Sequence, residues 1–330
     1  MKRFAIAGLA LALLGCAPSA ADAPMADQWI AIDLRAEPVD LGIAQVGRLR
    51  FRGGLALSAP QRIFGGLSGL EVMEDGRLVA VSDNADWLEA RIVLDESGAL
   101  IGVSGARMAF MRDENAAPFA SKRAGDAEGV AHLADGRFAV AFEQTQNVRI
   151  YDLNRDGPFG AALAGPRLEG AQRLPRNASL EAIASDGFGV LIVGAEGGAG
   201  ATPVWRAPVE GAESSPIAAR YNPASGYSLT GMDRLPDGGF VALERFYAPI
   251  IGARARLTRI ADVPADGEIA PREELARLAP PMPLDNFEGV AAVRMPDGAT
   301  RLYIISDDNF SSRQRTLLYA FDLVETEVAP

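Results

Sequence analysis

The chain holds one cysteine and one histidine in 330 residues, and lysine is scarce. These shortages exclude much chemistry. No intramolecular disulfide can form, and zinc sites built from Cys and His lack ligands. Familiar serine and cysteine triads lack a base, because His132 sits mid-strand in the apolar run Val130-AHLA, where a packing residue is expected. Positive charge is also short: the formal net charge is −11, a surface that repels nucleic acid and keeps a protein soluble. The longest clean apolar run, Phe4 to Leu14, is about half of the ~20 residues that span a bilayer as a helix. Helical apolar periodicity is missing too, except over Arg272-EELARLA, which argues against an α/β fold.

What is present begins with an address. Lys2-Arg3 precedes the apolar run FAIAGLALALL, and Leu13-Leu14-Gly15-Cys16 resembles the lipobox of bacterial lipoproteins. The expectation is a signal peptide over residues 1–15, acylation of Cys16, a flexible small-residue tether over 16–28 and a single domain over 29–330. Two or three acyl chains hold a protein stably where one does not. That resemblance, with Ala17 after the cysteine, implies a lipid-anchored monomer of the bacterial envelope, facing the periplasm at the outer membrane, touching the bilayer through its lipid alone.

The 35 glycines and 21 prolines are spread along the chain, as many short strands and tight turns require. Five segments repeat one pattern: a short apolar strand, an Asp-Gly turn, a second apolar strand and a final acid. They are Ser68-GLEVMEDGRLVAVS-Asp83, Glu128-GVAHLADGRFAVAF-Glu143, Glu181-AIASDGFGVLIVGA-Glu196, Thr230-GMDRLPDGGFVAL-Glu244 and Glu288-GVAAVRMPDGATRLYIIS-Asp307. Asp-Gly between apolar runs predicts a two-residue type I′ hairpin. A fixed spacing of roughly fifty-five residues belongs to propeller blades and gives no reason for a sandwich. The fold expected is therefore an all-β propeller of five four-stranded blades, with a degenerate sixth open for residues 29 to 60. Strands such as Leu78-VAVS and Phe138-AVAF, apolar on both faces, suit sheets stacked between neighbours. The last repeat ends short of a fourth strand, so Ile43-AQVGRLRF or Leu55-AL is expected to close the ring.

Counting outward from a two-residue turn opposes Ser68 to Asp83, Glu128 to Glu143 and Glu288 to Asp307. Glu181 with Glu196 and Thr230 with Glu244 follow by analogy. Carboxylates directly opposed across a hairpin repel, so this many on one rim call for a cation. An oxygen-only set of Asp83, Glu128, Glu143, Glu181, Glu196, Glu288 and Asp307 suits Ca²⁺ best, with Asn84, Asn177, Asn286 and Asn309 near enough to add oxygens. By elimination, water activated by that metal, carboxylates and arginines are left as catalytic parts. Glu244 is the expected general base, and Arg245 and Arg313 the clamps for an anionic group. Strand alternation argues against Arg245, since it should turn to the opposite face from Glu244.

Several stretches resemble the phytase-like family with esterase-like activity: Phe64-GGLSGL, Ser82-DNADW, Asp126-AEGVA, Leu243-ERFY, Asp285-NFEGVA and Ser306-DDNFSSRQRTLLYAFDL. The resemblance runs over most of residues 47 to 323 and implies a propeller hydrolase acting on a small phosphate or other ester. It coincides with the reading of the acids at Glu128, Glu244, Glu288 and Asp307. The competing expectation is a non-catalytic envelope propeller that binds a ligand or partner on the same rim.

Overall fold

The computed structural model describes residues 27–324 apart from 198, 199, 212 and 250. The predicted leader and most of the tether, Cys16 included, lie outside the described residues. Five antiparallel sheets follow one another along the chain. Blade 1 comprises Leu67–Val72, Arg77–Ser82, Asp86–Leu94 and Leu100–Phe110, with Ile30–Ala31 added at its outer edge. Blade 2 comprises Ala127–His132, Phe138–Phe142, Asn147–Tyr151 and the two-residue strand Leu163–Ala164. Blade 3 runs through Leu180–Ser185, Val190–Ala195, Thr202–Pro208 and Ile217–Tyr221, and blade 4 through Ser228–Arg234, Phe240–Ala248, Gly252–Ile260 and Arg272–Leu278. Arg272–Leu278, the stretch whose pattern allowed a helix, is thus a strand.

Blade 5 is built from both ends of the described chain. Asn286–Arg294, Thr300–Asp307 and Thr316–Leu323 accept Leu49–Ser58 as the outer strand, with Leu57 opposite Thr316 and Leu49 opposite Leu323. The predicted closure from the amino-terminal side is therefore made, and there is no sixth blade among the described residues. Arg35–Pro38 pairs with the far side of Leu49–Ser58, covering an edge that would otherwise be open to another strand.

Each blade buries both faces against its neighbours. Leu78, Val79, Ala80 and Val81 are all buried, and so is every residue from Phe138 to Phe142. Blades 1 and 2 share a core around Val79, Trp87, Val130 and Phe138, and each of the other four blade interfaces has its own buried cluster. Trp87 meets Phe138 and Tyr151 edge-on at centroid distances of 6.2 and 5.3 Å, a favourable aromatic arrangement.

The hairpin turns differ from the type I′ expectation, and the difference moves the register. Met73 pairs with Arg77, and Gly76 alone takes a left-handed backbone (φ 81°) while Asp75 Oδ1 accepts the Arg77 amide at 2.9 Å. The loop is thus three residues long, and the 133–137 and 295–299 turns repeat it. A second offset follows. Leu67 faces Ser82 but Gly69 faces Val81, so Ser68 bulges from the ladder. The same bulge recurs at Glu128, Glu181, Thr230 and Glu288. One extra residue per inner strand re-aims these side chains to the mouth of the central channel.

Glycine after the bulge lets the inner strands pinch together. A β-carbon on Gly231 would stand 2.5 Å from the Glu288 carbonyl oxygen, and one on Gly69 would stand 2.8 Å from the Val130 amide. The space left along the axis is about 10 Å³, too little for more than one water, so the channel is a plug. Gly231→Ala is expected to cost about 1–3 kcal/mol through overpacking, read by denaturant unfolding. An unchanged midpoint would show that the strands have room to separate.

Candidate functional site

Five bulges and five strand ends meet on one face of the ring, called here the upper face. The bulge residues Ser68, Glu128, Glu181, Thr230 and Glu288 line its floor. Above them stand Asp83, Glu143, Glu196, Arg245 and Asp307, one from the second strand of each blade. Asp83 and Glu143 donate their amides to the Gly66 and Asp126 carbonyls, Glu196 donates to Ser179, Arg245 lies opposite Ser228 and Asp307 opposite Asn286. The predicted pairs of opposed acids are therefore corrected: shorter-range counting missed both the three-residue turn and the bulge. The acids still share a rim, but they converge between blades and on two levels.

Blade 4 carries the largest correction. Its fifteen-residue spacing from Thr230 lands on Arg245, so Arg245 occupies the rim and alternation sends Glu244 the other way. Glu244 is fully buried between blades 3 and 4. Its carboxylate receives two 2.8 Å bonds from Arg256, one of 2.5 Å from the Tyr221 hydroxyl and one of 3.1 Å from the Ala224 amide. Saturated and remote from the rim, Glu244 is an inter-blade clasp rather than a general base. Arg313 is exposed in the 308–315 loop and forms no ion pair among the described residues. Of the asparagines, Asn286 joins the rim: it donates to Glu288 at 2.7 Å and accepts from Arg245 at 2.7 Å. Asn177 accepts from Gln144 instead, and Asn309 donates its amide to Asp307.

Sequence reasoning missed the second cation. Lys122, the one lysine beyond Lys2, lies on a short 3₁₀ turn and bonds Asp83 and, at 3.0 Å, Asp126. Desolvation is the largest single influence on its ammonium group and lowers its pKa, but Asp83 and Asp126 together outweigh it and raise the value. Its signal in the sequence was rarity alone.

The charges now add to a pattern. Eight carboxyl groups, Asp83, Asp126, Glu128, Glu143, Glu181, Glu196, Glu288 and Asp307, face two cations. Lys122 serves the blade 1–2 side. Arg245 serves the blade 4–5 side through Glu196 (3.3 Å) and Glu288 (3.7 Å). Between them Asp126, Glu128 and Glu143 form one group of three, and Glu143, Glu181 and Glu196 another, each with ligand oxygens mutually within 4.8 Å and arranged so that they could hold a metal ion. Glu143 belongs to both. The buried hydroxyls of Ser68 and Ser179, on the same rim, have no hydrogen-bond partner. Oxygen donors, excess negative charge and unpartnered buried hydroxyls together fit a hard divalent cation.

Burial is the first cause of proton retention here. It raises the carboxyls of Glu128 and Glu181 well above the usual range, and neighbouring carboxylates add to it. Glu143 is raised to about 7 and Asp307 to about 8, in each case by burial first. Asp86, in the upper turn of blade 1 near Asp83, and Asp233, at the other end of the axis, are raised to about 7 by burial as well. A carboxyl raised in the fold but not in the unfolded chain, near 4, favours unfolding increasingly as pH climbs from the lower value to the higher. In chelator, the melting temperature should therefore rise as pH falls from 8 toward 5, contrary to ordinary acid denaturation. A saturating cation should flatten the share owed to Glu143 and Asp307 and leave that of Asp233. A metal-free melting temperature that falls over this window would contradict the site's electrostatics.

At the opposite end of the plug, two acids cap neighbouring strands. Glu71 accepts the His132 amide at 2.7 Å, and Asp233 accepts the Ala292 amide at 2.6 Å. His132 packs on Phe138 with centroids 5.0 Å apart, far from the acidic rim.

The model of the Phytase-like family, described as esterase-like activity of phytase, matches residues 62–310. No curated protein matches the chain. Solved structures similar to it include an α-L-arabinofuranosidase from Podospora anserina (12% identity, 84% of this chain and 97% of that one, TM-score 0.45). Others are a PQQ-bound aldose sugar dehydrogenase from Streptomyces coelicolor (13%, 88% and 98%, 0.41) and the calcium structure of a family AA12 enzyme from Trichoderma reesei (11%, 88% and 96%, 0.42).

Proposed function

The chain belongs to the Phytase-like family, and from that premise we propose that it is an exported, Ca²⁺-dependent hydrolase of phosphate or other esters, with the acidic rim as its active site. The observation that carries this reading is the imbalance on the rim, where eight carboxyl groups converge on two protein cations. Asp126, Glu128, Glu143, Glu181 and Glu196 would hold the ion, and the ion would supply Lewis acidity toward an ester oxygen. Asp307 lies outside both three-acid groups, across the rim beside Glu288 and Asn286. In its ionised form it would take a proton from water, and its raised value would make it a stronger base than an ordinary carboxylate. Arg245, already shared among Glu196, Glu288 and Asn286, would orient an anionic substrate group.

Export and anchoring rest on the leader and Cys16. The protein would face the periplasm from the outer membrane as a monomer. Palmitate labelling of the wild type and its loss in Cys16→Ser tests this, and an unlabelled wild type would overturn the anchor.

The chemistry is tested on a panel of phosphate and carboxylic esters, with Ca²⁺ and with EDTA. Turnover should appear with Ca²⁺ and vanish with EDTA. Asp307→Asn should lower kcat by about 10²-fold or more while keeping Ca²⁺ stabilisation. No turnover of any ester would leave the second reading, a binding propeller that uses the same rim.

A further inference from the structure

We infer that the upper face lies against the membrane, with the tip of the blade 4 hairpin seated in the bilayer interface. This rests on the reading of Cys16 as the acylated residue.

The chain enters the domain on the upper face. Met111 donates its amide to Ala85 in the upper turn of blade 1, and the next residue, Arg112, pairs with Asp27. From there the chain descends along the outer edge of blade 1, with the Arg107 guanidinium over the Trp29 ring at 4.3 Å and Ile30 opposite Met108. Ten residues, and so eleven residue-to-residue steps, separate Cys16 from Asp27. Eleven such steps span at most about 40 Å when taut, and a chain of that length behaving as a random coil spans roughly 20 Å. The strand Leu100–Phe110, which spans the side of blade 1, is roughly 35 Å long at the usual rise per residue. Turning the lower face to the membrane would stretch the tether almost straight. Turning the upper face to it leaves the tether slack.

One element projects from that face. The Phe240–Ala248 and Gly252–Ile260 strands continue past the rim residue Arg245, with Phe246, Tyr247 and Ala248 opposite Arg254, Ala253 and Gly252. At the tip Tyr247 is 68% exposed and Ile251 49%, while Arg254 lies 5.8 Å over the Phe246 ring. An exposed tyrosine and isoleucine with an arginine just behind them match the composition of a membrane interface. The acidic rim would then open onto the headgroup layer.

Acylation consumes Cys16, so Tyr247→Cys or Phe188→Cys would give the mature protein one free thiol. Phe188 is 83% exposed on a hairpin turn at the opposite end of blade 3. Each variant is labelled with an environment-sensitive NBD dye and reconstituted in vesicles of phosphatidylethanolamine and phosphatidylglycerol. Emission from position 247 should be blue-shifted and several-fold brighter than in detergent-free buffer, and that from 188 water-like. Water-like emission from 247, or equal shifts at both positions, would overturn the orientation even if palmitate labelling and ester hydrolysis succeed. A chain that takes up no palmitate removes the tether argument itself. Inactivity toward every ester, with the 247 label in the bilayer, would count against the hydrolase alone.

Discussion

Glu143→Gln is expected to abolish both the stabilisation by Ca²⁺ and the hydrolysis of esters. Glu143 is the single residue common to both three-acid groups, so its loss breaks each at once. The amide keeps the shape and one oxygen but removes the charge that a hard cation needs. The metal-free variant should gain stability over the wild type as pH climbs from about 4 to about 7 and keep that gain above, because burial and the neighbours Asp126 and Glu196 hold Glu143 protonated in the fold while it ionises in the unfolded chain. The pair of measurements is a melting curve with and without Ca²⁺ and a rate on the best ester of the panel. A variant that keeps its Ca²⁺ response would move the ion to the Glu288 and Asp307 side.

Glu244→Gln should behave in the opposite way. It leaves the rim untouched but removes the buried one of the two carboxylates paired with Arg256, whose guanidinium is itself buried, leaving only Glu274. It also weakens the attraction to Arg272 at 3.7 Å. Breaking a buried pair on one side typically costs about 3–5 kcal/mol, a large part of a domain's stability. Chemical denaturation should show that loss, while the folded fraction keeps its Ca²⁺ response and its turnover per molecule. A stable but inactive Glu244→Gln would restore the general-base role that the burial argues against.

These two glutamates also mark how far the sequence could be read. The repeat, the blade, the strand that closes the ring and the shared acidic rim were all legible, because Asp-Gly turns and doubly apolar strands report local chemistry. The register was not. Asp75 and Gly76 form part of a three-residue turn rather than a two-residue one, and the bulge at Ser68 adds a second step. Each offset moves every later residue to a new partner. In blade 4 counting by analogy picked Glu244, whereas the fifteen-residue spacing kept by blades 1 to 3 picks Arg245. Alternation along the strand was correctly invoked but anchored on the wrong residue. Lys122 could not be placed at all, since a side chain on a connecting turn reaches two strands by a route that no periodicity encodes.

The bulges also explain why the site is rich in raised carboxyls. A regular ladder would send alternate side chains into the blade interfaces, where cores such as that around Val79, Trp87 and Val130 have no room for charge. One inserted residue per inner strand turns Glu128, Glu181 and Glu288 onto the axis, and the four glycines and Ala182 that follow the bulges close the way down. The acids are held half out of water with nowhere to spread. The fold thus stores repulsion on one face, relieved by protons at low pH or by a cation near neutrality.

The most direct test of that account is the melting temperature of the full chain at neutral pH, measured in EDTA and then in millimolar Ca²⁺. An ion bound only by the folded state adds about 2.7 kcal/mol at a hundredfold excess over Kd, and the account predicts a corresponding rise that Glu143→Gln lacks. A wild-type melting temperature indifferent to both EDTA and Ca²⁺ would contradict it.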